Sequence, residues 1–143
     1  MIKKKISKIL VPLDGSENSV RGLETAITLA RNCKATITGI HSIYAPPHSE
    51  FKGVGSVGDA YKVNMKKFID EAKTLAAKNG IVFKDKIVRG EIGYNIIKIA
   101  HGKTKFDMIV MGSRGRSNTK EIFFGSVSNY VIHTSKIPVV IVK

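Results

Sequence analysis

Short apolar runs alternate along the chain with longer amphipathic segments. Five runs rich in apolar residues predict β-strands, and the segments between them carry apolar residues at helical spacing. In residues 63–79, Met65, Ile69 and Ala72 fall on one helical face. The predicted strands are 8–13, 36–44, a third strand bracketed by 81–83 and 87–88 that ends at Gly90, 108–111 and 139–142; the predicted helices are 16–32, 63–79, 94–100 and 126–134.

This alternation predicts an α/β fold. Apolar strands separated by helices are typical of a parallel sheet covered by helices on both faces, since such strands bury both sides. We therefore expect residues 1–143 to form a single doubly wound domain with three layers, α/β/α. Right-handed crossovers place the loops that follow the strands along one edge, and ligands bind at this carboxyl edge where the strand order reverses. The loops after strands one, two and four are the candidate positions for a site.

Residues 45–58 contain two prolines and three glycines and predict a long loop, which is either a functional lid or simply mobile. Its last six residues, Gly53–Gly58, match the dinucleotide pattern GxGxxG. That pattern binds a pyrophosphate where it joins a strand directly to a helix, whereas here Pro46–Lys52 precedes it and predicts no strand. We interpret the match as part of a flexible loop and not as a cofactor site.

The composition is that of a basic protein. The chain has 24 Lys and Arg against 11 Asp and Glu, a formal net charge of +13 at pH 7. Such charge attracts nucleic acid, acidic membrane and nucleotide alike, so we interpret it first as a solvated basic surface. No apolar run reaches the ~18 residues of a spanning helix, the N-terminus lacks the features of a signal peptide, and the single Cys33 excludes an internal disulfide. We expect a cytoplasmic protein without a membrane partner.

A second glycine pattern follows the fourth predicted strand. Gly112–Gly115 is followed, after nine intervening residues, by Gly125–Ser126, where the fourth predicted helix begins. Glycine permits close approach of successive N–H groups to an anion, Ser126 is a candidate N-cap, and the amides of a first helical turn face a phosphate placed there. Arg114, Arg116 and Lys120 add positive charge to the same loop. By itself the pattern fits equally well a strand end and a helix start without a ligand.

The end of the first strand favours the ligand. Pro12 and Asp14 lie at its carboxyl edge, which a doubly wound sheet brings close to the loop after strand four. An aspartate here could bind a ribose or an adenine edge, or help to hold Mg²⁺ beside phosphates. The alternative role of Asp14 is to cap the first helix, and the two roles are compatible.

On these motifs the chain resembles a universal stress protein over essentially its whole length. The motifs that carry the resemblance are Ile9–Ser16, His41, Val88–Gly90, Met111–Gly115, Gly125–Val127 and Pro138–Val142. The resemblance implies a Rossmann-like sheet of five parallel strands in the order 3-2-1-4-5, of the adenine nucleotide alpha hydrolase type. The long Gly-to-Gly-Ser spacing implies the nucleotide-binding branch of the family, with ATP and Mg²⁺ or Mn²⁺ as ligands.

The resemblance also implies particular site residues. Pro12 and Asp14 would line the adenine and ribose end, with Asp14 as a candidate metal ligand, and Met111 would pack near the base. Ser42 would contact adenine, where family members often have valine, so less apolar contact with the base is expected. The remaining implied residues wrap the ribose and phosphates: Gly112, Ser113, Arg114, Gly115, Arg116, Ser117, Gly125, Ser126 and Val127. A homodimer paired edge to edge through Val139–Val142 is also implied, and pairing would protect an exposed apolar edge.

Three functions fit these observations. The first is an ATP-binding regulatory or stress-response module; the second is a slow ATPase or other nucleotide-processing enzyme; the third is a basic nucleic-acid-associated protein that uses no nucleotide. The chain contains no GxxxxGK[ST], GxSxG or HExxH, which argues against an efficient enzyme. No recognition helix or aromatic platform supports the third function. His41 is interpreted as a hydrogen-bonded histidine of the core.

Overall fold

The computed structural model describes residues 5–42, 56–114 and 125–143. These residues form five strands and four helices in strict β/α order. The elements are β1 (Lys8–Pro12), α1 (Glu17–Cys33), β2 (Thr36–Ser42), α2 (Ser56–Lys78), β3 (Phe83–Val88), α3 (Ile92–Ala100), β4 (Met108–Gly112), α4 (Ser126–Thr134) and β5 (Val139–Val142). All neighbouring strands pair in parallel in the order β3-β2-β1-β4-β5, which confirms the predicted α/β fold and strand order.

The helices cover both faces of the sheet. α1 and α2 pack on one face, where Leu23 and Ile69 join a core with Ile9 of β1. α3 and α4 pack on the other face, where Ile96 and Val131 join a second core around Leu10. Side chains alternate between faces along a strand, so adjacent residues of β1 supply both cores. In the described part of the chain, no helix is both long enough and apolar enough to cross a bilayer.

Two of the predicted elements differ from the structure. α2 begins at Ser56 rather than at 63, because its buried stripe extends back through Met65 to Tyr61, both 2% exposed. Residues 56–58, assigned to the loop by sequence, therefore form the start of this helix, and residues 45–55 lie outside the described residues. β3 also departs from the expectation of strands buried on both faces: residues 84–87 are exposed, because β3 is an edge strand.

Two glycines bring α1 against β4. A Cβ on Gly112 would lie 2.7 Å from the backbone carbon and oxygen of Asn18, and a Cβ on Gly22 would lie 3.1 Å from the nitrogen of Gly112. Larger residues would push α1 away from the strand, since backbone atoms cannot move aside as a flexible side chain can. This contact sets the position of the helix that follows β1 relative to the end of β4.

Candidate functional site

The strand order reverses between β1 and β4. These strands are neighbours in the sheet, with Leu10 aligned to Ile109. The chain leaves β1 for α1 on one face and leaves β4 for α4 on the other, so a crevice opens between the two connections at the carboxyl edge. This is the position at which open α/β sheets bind ligands.

The β1–α1 turn is fixed by its own side chains. The Ser16 amide donates to Asp14 Oδ1 at 2.9 Å, and Gly15 between them has a φ of +80°. Ser16 Oγ in turn accepts from the Ser19 amide at 3.2 Å and caps α1. The alternative role proposed for Asp14 was therefore wrong: Ser16 is the N-cap, because the cap must lie immediately before the first helical turn. Asp14 shapes the turn and is half-buried at the sheet edge.

The β4–α4 connection is closed by one carbonyl group. The oxygen of Ser113 accepts from the Gly125 amide at 2.7 Å and from Ser128 Oγ at 2.8 Å. Ser113 and Ser128 are 7% and 3% exposed, so water competes little for these bonds. The start of α4 is therefore held against the end of β4. Ser128 was not among the predicted site residues. Its position on the inner face of α4 is the one sequence signal that could have pointed to its structural role.

In the described chain, the N-terminus of α4 has no side-chain cap. Its N-cap is Gly125 (φ −62°, ψ 164°), not Ser126 as predicted, and no side chain within residues 5–42, 56–114 and 125–143 caps the first-turn amides. The helix begins one residue earlier than a capping Ser126 would require, and the amide of the Gly125 N-cap donates to the Ser113 carbonyl. The first amides of such a helix carry partial positive charge and point toward any anion in front of them. Val127 is half-buried and packs on the second core.

The other predicted residues are distributed around this edge. Met111 is 6% exposed and its side chain belongs to the second core. Arg114 directly follows Ser113 and is half-buried. Gly115–Ser117 lie outside the described residues. Gly112 has a packing role beside any ligand role, because Asn18 fills the space where its side chain would stand.

Ser42 and Pro12 lie at the same carboxyl edge. Pro12 is aligned with Ile40 of β2, and Ser42 ends that strand two residues later, aligned with Val88 of β3. The Tyr61 hydroxyl of α2 lies 3.4 Å from the Ser42 carbonyl oxygen, to which it donates. The structure thus brings Pro12, Asp14 and Ser42 to the edge that also carries the end of β4.

A charged cluster connects α2 with the middle of β3 and the end of β2. His41 is 5% exposed, with Nε2 3.4 Å from Asp85 Oδ2, and Lys73 Nζ lies 2.9 Å from Asp85 Oδ1. The hydrogen bond from the Lys73 ammonium lowers the pKa of Asp85 below its usual value, and the same bond raises the pKa of Lys73. The prediction that His41 is a hydrogen-bonded core residue is confirmed. The cluster joins α2 to β2 and β3, and it does not face the side of the crevice that α4 forms.

The comparisons with known proteins agree with this architecture. The model of the universal stress protein family matches residues 5–143. Universal stress protein YxiE of Bacillus subtilis is 32% identical, covering 96% of this chain and 99% of its own length; stress response protein NhaX of the same organism is 33% identical, covering 95% and 97%. The structure of protein MJ0577 is 32% identical and superposes with a TM-score of 0.78 over 98% of this chain and 97% of that one. This chain therefore belongs to the universal stress protein family.

Proposed function

We propose that the chain binds ATP in the crevice between the β1–α1 turn and the start of α4 and acts as a nucleotide-dependent regulatory module in the cytoplasm. The observation that carries the proposal is the attachment of the α4 N-terminus, which has no side-chain cap among the described residues, to the end of β4 through the Ser113 carbonyl. A helix start held rigidly at the switch point presents amides that need no reorganisation to receive a phosphate.

The remaining contacts divide along the edge of the sheet. Asp14 would accept from a ribose hydroxyl, and Pro12 and Ser42 would border the base on the β1–β2 side. Serine offers the base less apolar surface than valine, so the base contributes less to affinity than the phosphates. Gly125, Ser126 and Val127 would hold the phosphates, with the charge of Arg114 nearby.

Mg²⁺ or Mn²⁺ fits this site only when the nucleotide is bound there as well. Among the described residues, no three His, Cys, Asp or Glu side chains are grouped for a metal. Asp14 would supply one carboxylate oxygen, and phosphate oxygens and waters would supply the rest, which is how Mg²⁺ is usually held at nucleotides. A bound metal would neutralise phosphate charge.

Related structures support an adenine nucleotide as the ligand. A universal stress protein in complex with cAMP superposes on this chain with a TM-score of 0.73, and one from Archaeoglobus fulgidus in complex with dAMP with 0.70, each at 24% identity. Both ligands combine an adenine with a phosphate, which are the two groups that the crevice is proposed to receive. ATP itself remains our proposal for this chain.

Nucleotide release and calorimetry test the proposal. We expect the purified protein to release adenine nucleotide on denaturation and to bind added MgATP at moderate salt. Gly125→Val should abolish binding by placing a side chain where the phosphate approaches, whereas Ser126→Ala should weaken it less. Gly125 has a backbone conformation that valine also adopts, so the loss would not reflect strain. Wild-type affinity in Gly125→Val, or no binding at millimolar ATP, would refute the proposal.

We also propose a homodimer formed through the free edge of β5. β5 is the last strand of the sheet, and its four residues are half-buried. Val140 and Val142 pack toward the first core and Val139 and Ile141 toward the second, so helices cover the strand on both faces and leave its backbone edge open in the described chain. An open apolar edge of this kind is usually paired or blocked in stable proteins.

A further inference from the structure

The edge of the sheet opposite the crevice is strongly basic. All four helices run back from the carboxyl edge, so their C-termini and the loops that follow them meet at the amino-terminal edge. Nine exposed Lys and Arg residues lie there, and we call them the basic edge: Lys5, Lys8, Arg31, Lys34, Lys78, Lys98, Lys103, Lys105 and Lys136. Asp107 is the one carboxylate in the described segments that form this edge.

Hydrogen bonds join these segments into one surface. The Thr36 amide donates to the Ser7 carbonyl at 2.9 Å, and Lys8 Nζ donates to the Thr104 carbonyl at 3.0 Å. The Lys136 amide donates to His101 Nε2 at 3.0 Å. The lysines of the N-terminal segment and of the α1–β2, α3–β4 and α4–β5 loops are thus held in fixed relation to each other.

The carboxylate at this edge has a structural role. Asp107 Oδ2 accepts from the amides of Ser7 and Lys8 at 2.9 and 3.0 Å and from Ser7 Oγ at 3.0 Å. These bonds commit Asp107 to holding the start of β1 beside the α3–β4 loop. The nine cations of the basic edge therefore face one carboxylate in these segments, which leaves a net charge of +8.

Two lysines of the basic edge occupy a backbone conformation that favours glycine. Lys34 and Lys105 have φ values of 56° and 50°, and they are the only non-glycine residues with positive φ in the described chain. At the same edge, Gly80 adopts this conformation with a φ of 71°. An L residue is disfavoured there, so each of these two lysines carries a local conformational cost.

Compensation of helix dipoles explains part of this charge. Arg31, Lys78 and Lys98 lie in the last turns of their helices, where a cation is favourable. Lys5, Lys103, Lys105 and Lys136, by contrast, lie outside any helix. The charge of the edge therefore exceeds what the helix ends require.

We propose that the basic edge binds the phosphate backbone of double-stranded nucleic acid without regard to sequence. Five strands span about 19 Å, and that length of duplex axis carries on the order of 11 phosphate charges on its two strands, so the nine cations are enough to contact the phosphates on one side of a duplex. Among the described residues, Val82 is the one exposed large apolar residue at this edge, while Tyr94 and Tyr130 lie on α3 and α4 away from it. The described part of the edge thus offers no aromatic platform for single strands and no apolar group of residues to enter a membrane.

Fluorescence anisotropy with a labelled 24-base-pair duplex of arbitrary sequence tests the proposal. We expect the full chain to bind it, with affinity falling steeply as salt rises. Lys103→Glu/Lys136→Glu should weaken binding about 50-fold at 0.1 M salt, since each lost phosphate contact removes roughly 0.9 from the salt slope. The matched control is Lys66→Glu/Lys67→Glu, which makes the same charge change on exposed residues of α2 outside the basic edge.

Several outcomes would overturn the proposal. The first is that Lys66→Glu/Lys67→Glu weakens duplex binding as much as Lys103→Glu/Lys136→Glu does. The second is that the protein does not bind the duplex at 0.05 M salt, and the third is that it binds anionic phosphatidylserine vesicles but not the duplex. Lys105→Asn provides a second variant, because asparagine tolerates positive φ: it should preserve the thermal midpoint and weaken duplex binding several-fold. Calorimetric binding of ATP should be unchanged in all these variants, so failure here leaves the nucleotide proposal standing.

Discussion

Ser128 Oγ donates a hydrogen bond of 2.8 Å to the carbonyl oxygen of Ser113, fifteen residues earlier in the chain. The same hydroxyl lies 3.0 Å from the Gly125 carbonyl oxygen, and the Gly125 amide donates a bond of 2.7 Å to the same Ser113 carbonyl oxygen. The buried side chain of Ser128 therefore links the residue that follows β4 to the first turn of α4. The orientation of the proposed phosphate-binding amides depends on this link.

Ser128→Ala should therefore lower both stability and nucleotide affinity. Removing the hydroxyl leaves a buried carbonyl with one partner fewer, and we expect a loss of about 1–2 kcal/mol in the free energy of unfolding. Urea denaturation measures this loss, and calorimetry measures the accompanying drop in ATP affinity. Ser126→Ala is the matched control for stability, since Ser126 is exposed on the same helix and should change the free energy of unfolding by less than about 0.5 kcal/mol. Equal effects of the two substitutions on unfolding would contradict the assigned role of Ser128.

Gly125→Ser should separate helix stability from ligand binding. A serine at the N-cap accepts from the first-turn amides, which have no side-chain partner in the part of the chain that the structure describes. We expect the free energy of unfolding to rise by a few tenths of a kcal/mol and ATP affinity to fall, because the new side chain competes with the phosphate for the same amides. Denaturation and calorimetry on one preparation give both values. Unchanged ATP affinity alongside increased stability would show that these amides do not bind phosphate.

Gly112→Ala should test how closely α1 approaches β4. The added methyl would lie 2.7 Å from the Asn18 backbone, so the helix must shift, and we expect a loss of about 1–3 kcal/mol in the free energy of unfolding. Gly80→Ala is the control: its φ is +71° and its Cβ meets nothing within 4 Å, so only the conformational cost of about 1 kcal/mol applies. A smaller loss in Gly112→Ala than in Gly80→Ala would mean that the contact with Asn18 is easily relieved.

Much of the fold could be predicted from the sequence because the local signals agree with one another. The apolar runs 108–111 and 139–142 form strands as predicted, and Gly80, with its positive φ, follows the end of α2 as expected. The start of α2 was misplaced because Ser56–Gly58 carries residues typical of turns, while the Tyr61–Met65 stripe that stabilises this turn is visible only once the sheet is built.

The site was predictable in position but not in its internal contacts. Glycine spacing indicates where the backbone closely approaches another group, but not whether that group belongs to a ligand or to the protein. At Gly112 the neighbouring group is the backbone of Asn18. The bond between Ser113 and Ser128 joins residues whose types give no signal of their own. The distribution of charge was likewise invisible, since lysines far apart in sequence meet at one edge only because every helix runs antiparallel to its strands.

Asp85→Asn should reveal the charge cluster under α2 through its pH dependence. The pKa of Asp85 is lowered in the folded protein by the hydrogen bond from Lys73, so the ionised carboxylate stabilises the fold above its unfolded value of about 4. That contribution is lost as pH falls through the folded value. The difference in free energy of unfolding between wild type and Asp85→Asn should thus be constant near neutral pH and shrink below about pH 4. The exposed control Glu71→Gln should show no comparable change, and a difference that persists at pH 2 would contradict the pairing.

The open edge of β5 makes the proposed dimer testable with a single backbone group. The carbonyls of Pro138 and Val142 bond to β4, so by alternation the N–H of Ile141 points to the free edge. Ile141→Pro removes this donor and places a ring in the path of a partner strand, whereas Ile141→Ala removes more of the side chain but keeps the N–H. In a two-fold symmetric dimer each protomer donates one such hydrogen bond, so the proline variant loses two. We therefore expect its dimer dissociation constant to rise at least about 30-fold, and that of the alanine variant to change little. Sedimentation across a concentration series measures both constants, and a proline variant that dimerises like wild type would exclude pairing through this edge.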